Sequence, residues 1–311
     1  MSHFEEQVLS LRGPDGFFTA DKPIFITRAP GRMDVMGGNV DYTGGLVFES
    51  TIREATWAAT QLRNDDQIVV FNPQMHDAGW QEKIALPLDQ LRMIEDTRAI
   101  VGRSPQVRWT AYVLGVFHLL LTRWPHQAAH GLSLYLHSTV PLNKGVSSSA
   151  AVEVASMKAA SAAYGIELTG IELATACQWI ENAIADSACG IMDQATSVLG
   201  EEGTCLPLLC QPCEIQSLVP LPGDLRLWAI DSGVKHAISG IEYEAARAAA
   251  FVGYRAICTW QNVPILPDIE SPIPRFTDSW FDGYLSRLSP SLFRSRFEML
   301  LPEHLSGSEI L

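Results

Sequence analysis

The sequence has little positive charge. Its 311 residues include 22 Lys and Arg against 35 Asp and Glu, for a formal net charge of −13. A nucleic-acid-binding protein needs a basic face, so this balance argues against a nucleic-acid partner. A nucleotide site remains open, because such a site uses backbone N–H groups and few cations.

Long apolar runs are also missing. The longest, AYVLGVFHLLL at 111–121, is too short to cross a bilayer and predicts a buried helix. The first residues, MSHFEEQVLS, lack the basic start and apolar core of a signal peptide. We therefore expect no membrane partner and a cytoplasmic protein.

Cysteine is sparse, with six residues scattered along the chain. This usage fits a cytoplasmic protein with reduced thiols. One C-x-x-C pair, CQPC at 210–213, has no second pair to complete a zinc site and no thioredoxin-like context. A functional role for it is disfavoured.

The periodicity of apolar residues predicts a mixture of strands and helices. Predicted strands are 24–28, 46–51, 54–62, 67–71, 132–137, 204–210 and 225–232. Predicted helices are 107–123, 150–163, 170–185 and 239–257, and the proline-rich 262–274 is predicted to be a surface connection. Runs of strands among helices favour a two-layer α+β fold over strict β-α-β alternation.

The first informative segment is PLNKGVSSSAAVEVASMKAA at 141–160. Ser147, Ser148 and Ser149 stand where a helix would begin, and Gly145 lets the backbone approach a ligand. The unpaired N–H groups at a helix start form an anion site, usually for phosphate, and hydroxyls can add donors or a Mg²⁺ ligand. A capped helix without a ligand explains the local pattern equally well. No Walker A string is present.

The second segment is RAPGRMDVMGGNVDYTGG at 28–45. A core strand would not use glycine so often, which favours tight turns with polar side chains converging on a small hydrophilic ligand. A surface loop with glycine turns is the alternative.

The third segment is CGIMDQATS at 189–197. Asp193 either caps a helix or faces a pocket, since acids are rarely buried alone. Glu181, on the preceding predicted helix, could join a serine hydroxyl around Mg²⁺, or could lie on a solvated helix face. In a fourth segment, DSGVKHAISGIEY at 231–243, Lys235 and His236 could contact a ligand, but surface polarity explains them equally well.

These segments, in this order, resemble the GHMP kinases, within them the galactokinase branch, and most closely its arabinokinase-like members. RAPGRMDVMGGNVDYTGG is similar to the branch's sugar-binding signature, PLNKGVSSSA to the family's ATP-phosphate loop, and CGIMDQ to the segment with the catalytic aspartate. The resemblance runs from about Phe25 to the end of the chain. It implies an ATP-dependent sugar kinase that uses Mg²⁺.

The resemblance also implies a two-domain organisation. Residues 1–205 would form an N-terminal domain like domain 2 of ribosomal protein S5, with the sugar signature and the phosphate loop. Residues 206–311 would form part of a C-terminal ferredoxin-like α/β domain. The family's third, glycine-rich motif is not found in residues 260–311, so we expect a truncated domain, exposed apolar surface, and a monomer or weak dimer.

Catalytic and metal-binding roles follow from the same match. Asp193 matches the catalytic aspartate and Arg32 the arginine beside it. Ser148 and Glu181 are the candidate Mg²⁺ ligands. The residues matched to the ATP-phosphate loop are Pro141, Lys144, Gly145, Val146, Ser147, Ser148, Ser149 and Ala150.

The sugar site is matched in the same way. Arg32 and Asp193 would face the sugar, and Asp41 would accept a hydrogen bond from a sugar hydroxyl. The remaining candidates are Gly190 for a backbone contact, Tyr243 for a nearby aromatic ring, and the pair Gly38 and Asn39.

Two departures from the galactokinase pattern bear on the sugar. Gly38 and Asn39 replace a Glu-His pair that lies near the C6 hydroxyl of galactose, and Lys144 replaces a glycine. L-Arabinose shares the ring configuration of galactose but lacks that CH₂OH group, so we expect sugar 1-kinase activity on L-arabinose. Galactose is the alternative substrate, and a catalytically weak sugar and nucleotide sensor or a truncated fragment is the alternative function.

Overall fold

The computed structural model describes residues 3–14, 16–38, 40–187, 189–210, 213–233, 241–263, 265–266, 275–276, 285 and 288–302. The strands of the main sheet are β1 (Phe25–Met36), β2 (Leu46–Leu62), β3 (Gln67–Phe71), β4 (Lys83–Pro87), β5 (Leu132–Ser138), β6 (Thr204–Leu209), β7 (Glu214–Ile215) and β8 (Val219–Pro220). The helices in this part are α1 (His3–Ser10), α2 (Ile94–Val101), α3 (Ala111–Arg123), α4 (Ser148–Tyr164), α5 (Gly170–Ala183) and α6 (Met192–Leu199).

Strand β2 is the spine of this mixed sheet. It pairs antiparallel with β1 along most of its length, with β5 through its second half and with β6 through its first four residues. The path of strands runs β4-β3-β5-β2-β6-β7, with β3 parallel to β5. The long β1–β2 pair carries the sugar-signature residues directly into the sheet.

Alternation along the strands separates the two faces of the sheet. Ala58 and Leu134 face the main core, which helices α3, α4 and α5 cover with alanine and leucine side chains. Ala59 and Tyr135 face the other side, where Phe4 of α1 packs. The mixed sheet and its helices confirm the predicted α+β class.

Several predicted boundaries were wrong. Strand β1 continues to Met36, so much of the glycine-rich segment is strand rather than turn. Its pairing with β2 shifts register between Pro30 and Arg32 and again between Asp34 and Met36. The two strands predicted at 46–51 and 54–62 are the single strand β2. Residues 225–232 contain no strand, and Trp228 and Ile230 there are exposed.

The later part of the chain contains α7 (Ile241–Trp260), the strands β9 (Ile265–Leu266) and β10 (Arg275–Phe276), and α8 (Pro290–Arg296). The predicted division after residue 205 falls within β6, whose last residue, Leu209, pairs with Leu46. The division into two domains therefore stays a prediction. Among the residues described, no helix has both the length and the apolar character needed to span a membrane.

Candidate active site

Arg32 lies where three of the predicted segments meet. Its guanidinium donates from Nε to Asp193 Oδ1 at 2.9 Å and from Nη1 to the carbonyl of Gly145 at 3.0 Å. Its backbone N–H donates to the carbonyl of Val146 at 3.1 Å. The side chain is 8% exposed. One buried cation thus joins the sugar signature, the phosphate-loop segment and the aspartate segment.

Asp193 lies at the start of a helix and also contacts Arg32, so it fits both interpretations of its segment, the helix cap and the site residue. It lies in the first turn of α6, where a carboxylate interacts favourably with the helix dipole. Its side chain is 14% exposed and pairs with Arg32 through both Nε and Nη2. Although burial opposes it, the charge of Asp193 and its hydrogen bond raise the pKa of Arg32. The arginine therefore stays charged beside the aspartate.

Asp41 is buried next to this pair. It accepts a hydrogen bond from the backbone N–H of Tyr42 at 2.9 Å and another from the N–H of Met192 at the start of α6. Burial, with the nearby Asp193 charge, raises the pKa of Asp41 to about 6. A Cβ placed on Gly190 would collide with the Asp41 carboxylate, so only glycine fits there.

Two acids that the sequence analysis did not select lie beside Arg32. Glu49 Oε2 is 3.2 Å from Arg32 Nε, and Glu49 is fully buried. Asp34 lies opposite Glu49 in the β1–β2 register. A signal was present in the sequence: Asp34 follows Arg32 by two positions, hence on the same face of a strand, and Glu49 interrupts the apolar run LVFEST.

The phosphate-loop segment has an unusual backbone. Asn143, Gly145 and Ser147 all have positive φ, of 57°, 69° and 59°. Alternation of left-handed and other conformations turns successive N–H groups towards one side, which forms an anion-binding concavity. A Cβ on Gly31 would approach the Val146 carbonyl to 2.7 Å, so β1 packs tightly under this loop.

The serines act differently from simple caps. Ser147 occupies the N-cap position of α4 but makes no capping hydrogen bond with its side chain. Its hydroxyl is buried and has no hydrogen-bond partner. The predicted position of Ser147 at the N-cap is therefore confirmed, but its side chain makes no capping hydrogen bond. The Ser149 hydroxyl, rather than that of Ser148, forms a hydrogen bond with Glu181.

Glu181 belongs to a buried polar group behind the helix start. The Gln194 amide donates to Glu181 Oε2 at 2.6 Å and to Glu153 Oε2 at 3.1 Å. Burial, with the Asp193 charge, raises the pKa of Glu181 to about 7. Burial and Glu181 together raise the pKa of Glu153 well above its ordinary value. The reading of Glu181 as a solvated helix residue was wrong, since it is 1% exposed.

Three other predicted residues of the phosphate-loop segment lie away from the Arg32–Asp193 pair. Lys144 pairs with Asp231, its Nζ lying 2.8 Å from Oδ2, so it faces the 225–233 segment. Pro141 is exposed and Ala150 is buried in α4.

On the sugar side, Gly38 has φ of 51° and donates its N–H to Asp34 Oδ2 at 2.8 Å, with open space where a Cβ would stand. Asn39, Lys235 and His236 lie outside the described residues. Tyr243 belongs to helix α7, and its side chain is outside the description.

Comparison with known protein families supports the resemblance. The profile of the GHMP kinases N terminal domain matches residues 111–201, which include the phosphate loop, Glu181 and Asp193. The profile of the galactokinase galactose-binding signature matches residues 16–62, which include Arg32 and Asp41. The two matches meet in the arginine–aspartate pair described above.

Individual relatives agree. An L-arabinokinase of Arabidopsis thaliana is 33% identical over an alignment of 346 residues, which covers 99% of this chain and 33% of the relative. A galactokinase of Chloroflexus aurantiacus is 37% identical over 226 residues, covering 73% of this chain and 53% of the relative. The chain thus spans between a third and about half of the length of these curated relatives.

Solved structures share the fold. The galactokinase of Lactococcus lactis complexed with galactose matches with a TM-score of 0.64 and 20% identity, over 92% of this chain and 65% of that one. The mevalonate kinase of Methanococcus jannaschii matches with a TM-score of 0.51 and 18% identity, over 65% of this chain and 57% of that one. These structures show that the fold is shared, while the two profiles identify residues 16–62 and 111–201 as segments of the galactokinase and GHMP kinase type.

Proposed function

We propose that the protein is an ATP-dependent sugar 1-kinase, which transfers the γ-phosphate of ATP to the anomeric hydroxyl of a monosaccharide. The observation that carries the proposal is the position of Arg32. This residue binds Asp193 and, through the same guanidinium, the Gly145 carbonyl of the phosphate loop. A sugar hydroxyl held by Asp193 and a phosphate held by the loop would then be neighbours.

The loop and the buried acids fit a phosphate with its Mg²⁺. The Ser147 hydroxyl is buried and unpaired, so a phosphate oxygen would satisfy it. Glu181 is a buried carboxylate beside the serines. Mg²⁺ keeps several waters and phosphate oxygens as ligands, so it needs few ligands from the protein. Ser148 and Glu181 would hold the ion, which neutralises charge on the phosphates.

The chain's own residues then account for the reaction. Phosphoryl transfer goes through a loose transition state, so positioning and charge stabilisation contribute most. Asp193 would orient the sugar hydroxyl and take its proton late in the transfer. Arg32 would fix Asp193 and neutralise charge that develops on the phosphoryl group.

Asp41 and its neighbours would hold the sugar. Its carboxylate is fixed by the two N–H groups and by the space that Gly190 leaves. With a pKa of about 6 it is mostly ionised at neutral pH, and an ionised carboxylate accepts hydrogen bonds from hydroxyls. Gly38 stands where the galactokinase resemblance implies an acid near the C6 hydroxyl, so galactose would lack that polar contact here, whereas a sugar without an exocyclic CH₂OH group would lose nothing.

L-Arabinose is therefore the proposed substrate, and D-galactose is the second candidate, because the profile at residues 16–62 is a galactose-binding signature. A sensor that binds sugar and nucleotide without turnover is the third. The buried Arg32–Asp193 pair favours an enzyme, since binding alone does not require a charged pair at this place.

A coupled assay of ADP release with Mg-ATP distinguishes these candidates. The panel contains L-arabinose, D-galactose, D-galacturonate and D-glucuronate. We expect kcat/KM on L-arabinose to exceed that on galactose by at least about tenfold. A preference for galactose would keep the kinase and refute the argument from Gly38. Nucleotide binding without turnover on any sugar would favour the sensor.

A further inference from the structure

Asp34 and Glu49 form a pair of acids that the proposed mechanism does not use. They are Cα partners in the antiparallel β1–β2 register. A Cβ built on Gly37 would lie 2.8 Å from Asp34 Oδ1 and 3.0 Å from Glu49 Oε1, so the two oxygens converge on one point. Glu49 is fully buried, Asp34 Oδ1 and Glu49 Oε1 have no hydrogen-bond partner, and Glu49 Oε2 forms an ion pair with Arg32 Nε at 3.2 Å.

Two ionised carboxylates cannot satisfy each other, because each is only an acceptor. One proton on Glu49 changes this, since the acid O–H then donates to Asp34. Burial of Glu49 favours the neutral acid and the charge of Arg32 opposes it, while the charges of Asp34 and Asp193 and the hydrogen bond with Asp34 add to the effect of burial, so that the pKa of Glu49 rises to about 8. The other oxygen of Asp34 accepts the Gly38 N–H at 2.8 Å, as an ionised carboxylate would. The burial of Glu49 and the contact of Asp34 with the Gly38 N–H together favour Glu49 as the site of the proton.

The charges around Glu49 point the same way. Strand β1 contributes Arg32 and Asp34, helix α6 contributes Asp193, and β6 with the residue after it contributes the thiols of Cys205 and Cys210. One cation therefore faces three carboxyl groups. With Glu49 neutral, the charge of Arg32 is shared between fewer anions, and its bond to Asp193 is strengthened.

We propose that Asp34 and Glu49 share one proton and act as positioning residues, which hold Arg32 on Asp193 and fix the backbone of the sugar signature at Gly38. Loss of the proton would create a second anion 3.2 Å from Arg32 Nε, and Glu49 would then compete with Asp193 for the guanidinium. The effect on turnover rests on the proposed kinase function, whereas the shared proton and its coupling to Arg32 do not.

The proton itself is tested by infrared spectroscopy on the whole chain. The difference spectrum between wild type and E49Q should contain the carbonyl stretch of a protonated carboxyl group at pH 7. That band should titrate with a pKa of about 8 rather than near 4.5. Glu54, on the same strand and partly exposed, gives the matched control E54Q, which should leave the band unchanged. Absence of the band at pH 7 would overturn the proposal.

The coupling to Arg32 is tested by NMR of the arginine Nε–H signals. We expect the Arg32 signal, assigned with R32K, to shift with the same pKa in wild type and to stay fixed in E49Q. A shift that persists in E49Q would refute the positioning role, and this readout requires no turnover.

Kinetics give the functional consequence. If only the form with neutral Glu49 is active, kcat should fall about tenfold between pH 7 and pH 9, as expected for one group with a pKa near 8. E49Q, which keeps a donor to Asp34, should vary less than about twofold over this range. An alkaline fall that is identical in E49Q would contradict the proposal. Failure of every variant to turn over would count against the kinase function and leave the infrared and NMR results to decide the pair.

Discussion

At the scale of single residues, the site depends on close approaches that permit little substitution. Gly190 leaves room for the Asp41 carboxylate, and Gly31 leaves room for the Val146 carbonyl. Arg32 donates from two edges of its guanidinium, through Nε and Nη2 to Asp193 and through Nη1 to the carbonyl of Gly145. Lysine carries the same charge but cannot reproduce this fork. Side-chain shape, and not only charge, therefore holds the site together.

Gly190→Ala tests the fixed position of Asp41. The added methyl group would push the carboxylate away from its two N–H donors, so we expect KM for the sugar to rise at least about tenfold, the loss of one charged hydrogen bond. Gly223→Ala is the matched control, because a Cβ there meets nothing within 4 Å. Steady-state kinetics at saturating ATP measure both. A wild-type KM in Gly190→Ala would show that Asp41 does not hold the sugar.

At the scale of elements, the sequence predicted about half of the described strands and helices, mainly the longer ones, and predicted their extents less well. The register shifts that let β1 carry Pro30 and Gly31 depend on pairing with β2, which is far away in sequence. The strand propensity of the residues alone therefore predicted that β1 ends at residue 28, whereas it continues to Met36. Helix α6 was missed because its eight residues are too few for the helical period of apolar residues to be recognised.

Helix α4 was predicted within a few residues, because alanine dominates it. The left-handed backbone conformation of Ser147 was not predicted, because a non-glycine residue at positive φ has no reliable sequence signal. The second and third sequence segments supplied Arg32, Asp41 and Asp193, and the predicted helix before the third supplied Glu181. Asp34 and Glu49 needed the pairing of two strands before their proximity could be recognised.

Ser147→Ala tests the phosphate loop as an element. Its hydroxyl makes no hydrogen bond without ligand, so the thermal midpoint of the free protein should change by less than about 2 °C, because no stabilising contact is removed. KM for ATP should rise several-fold, because a donor to phosphate is lost. Ser161→Ala, another buried and unpaired hydroxyl on α4, should change neither KM. Equal effects of the two substitutions on ATP would contradict the proposed loop.

At the scale of the whole molecule, buried acids set the dependence of stability on pH. The pKa of Asp41 rises from 3.8 to about 6 and that of Glu49 from 4.5 to about 8 in the folded chain, in both cases chiefly through burial. Between the unfolded and folded values, the folded state keeps a proton that the unfolded state has lost. The stability that these two protonated acids contribute is therefore fully present below about pH 4. It is lost as the pH rises through about 6 for Asp41 and about 8 for Glu49.

Urea unfolding of the ligand-free protein should measure this. We expect the free energy of unfolding to be lower at pH 8 than at pH 5 by a few kcal/mol, the usual size of such linkage. The double variant D41N/E49Q should show a smaller difference, while E54Q should behave as wild type. Stability that rises between pH 5 and pH 8 would show that these acids are ionised in the folded chain.

The central claim is that Asp193 and Arg32 serve the transfer of a phosphoryl group to an anomeric oxygen. The most direct measurement is ³¹P NMR of wild type and D193N, each incubated with Mg-ATP and L-arabinose or D-galactose. We expect the wild type to form a sugar 1-phosphate, and D193N to form it at least about a hundredfold more slowly, as for loss of a positioned acid–base group. Phosphate at another hydroxyl, inorganic phosphate alone, or a D193N variant as fast as wild type would contradict the account.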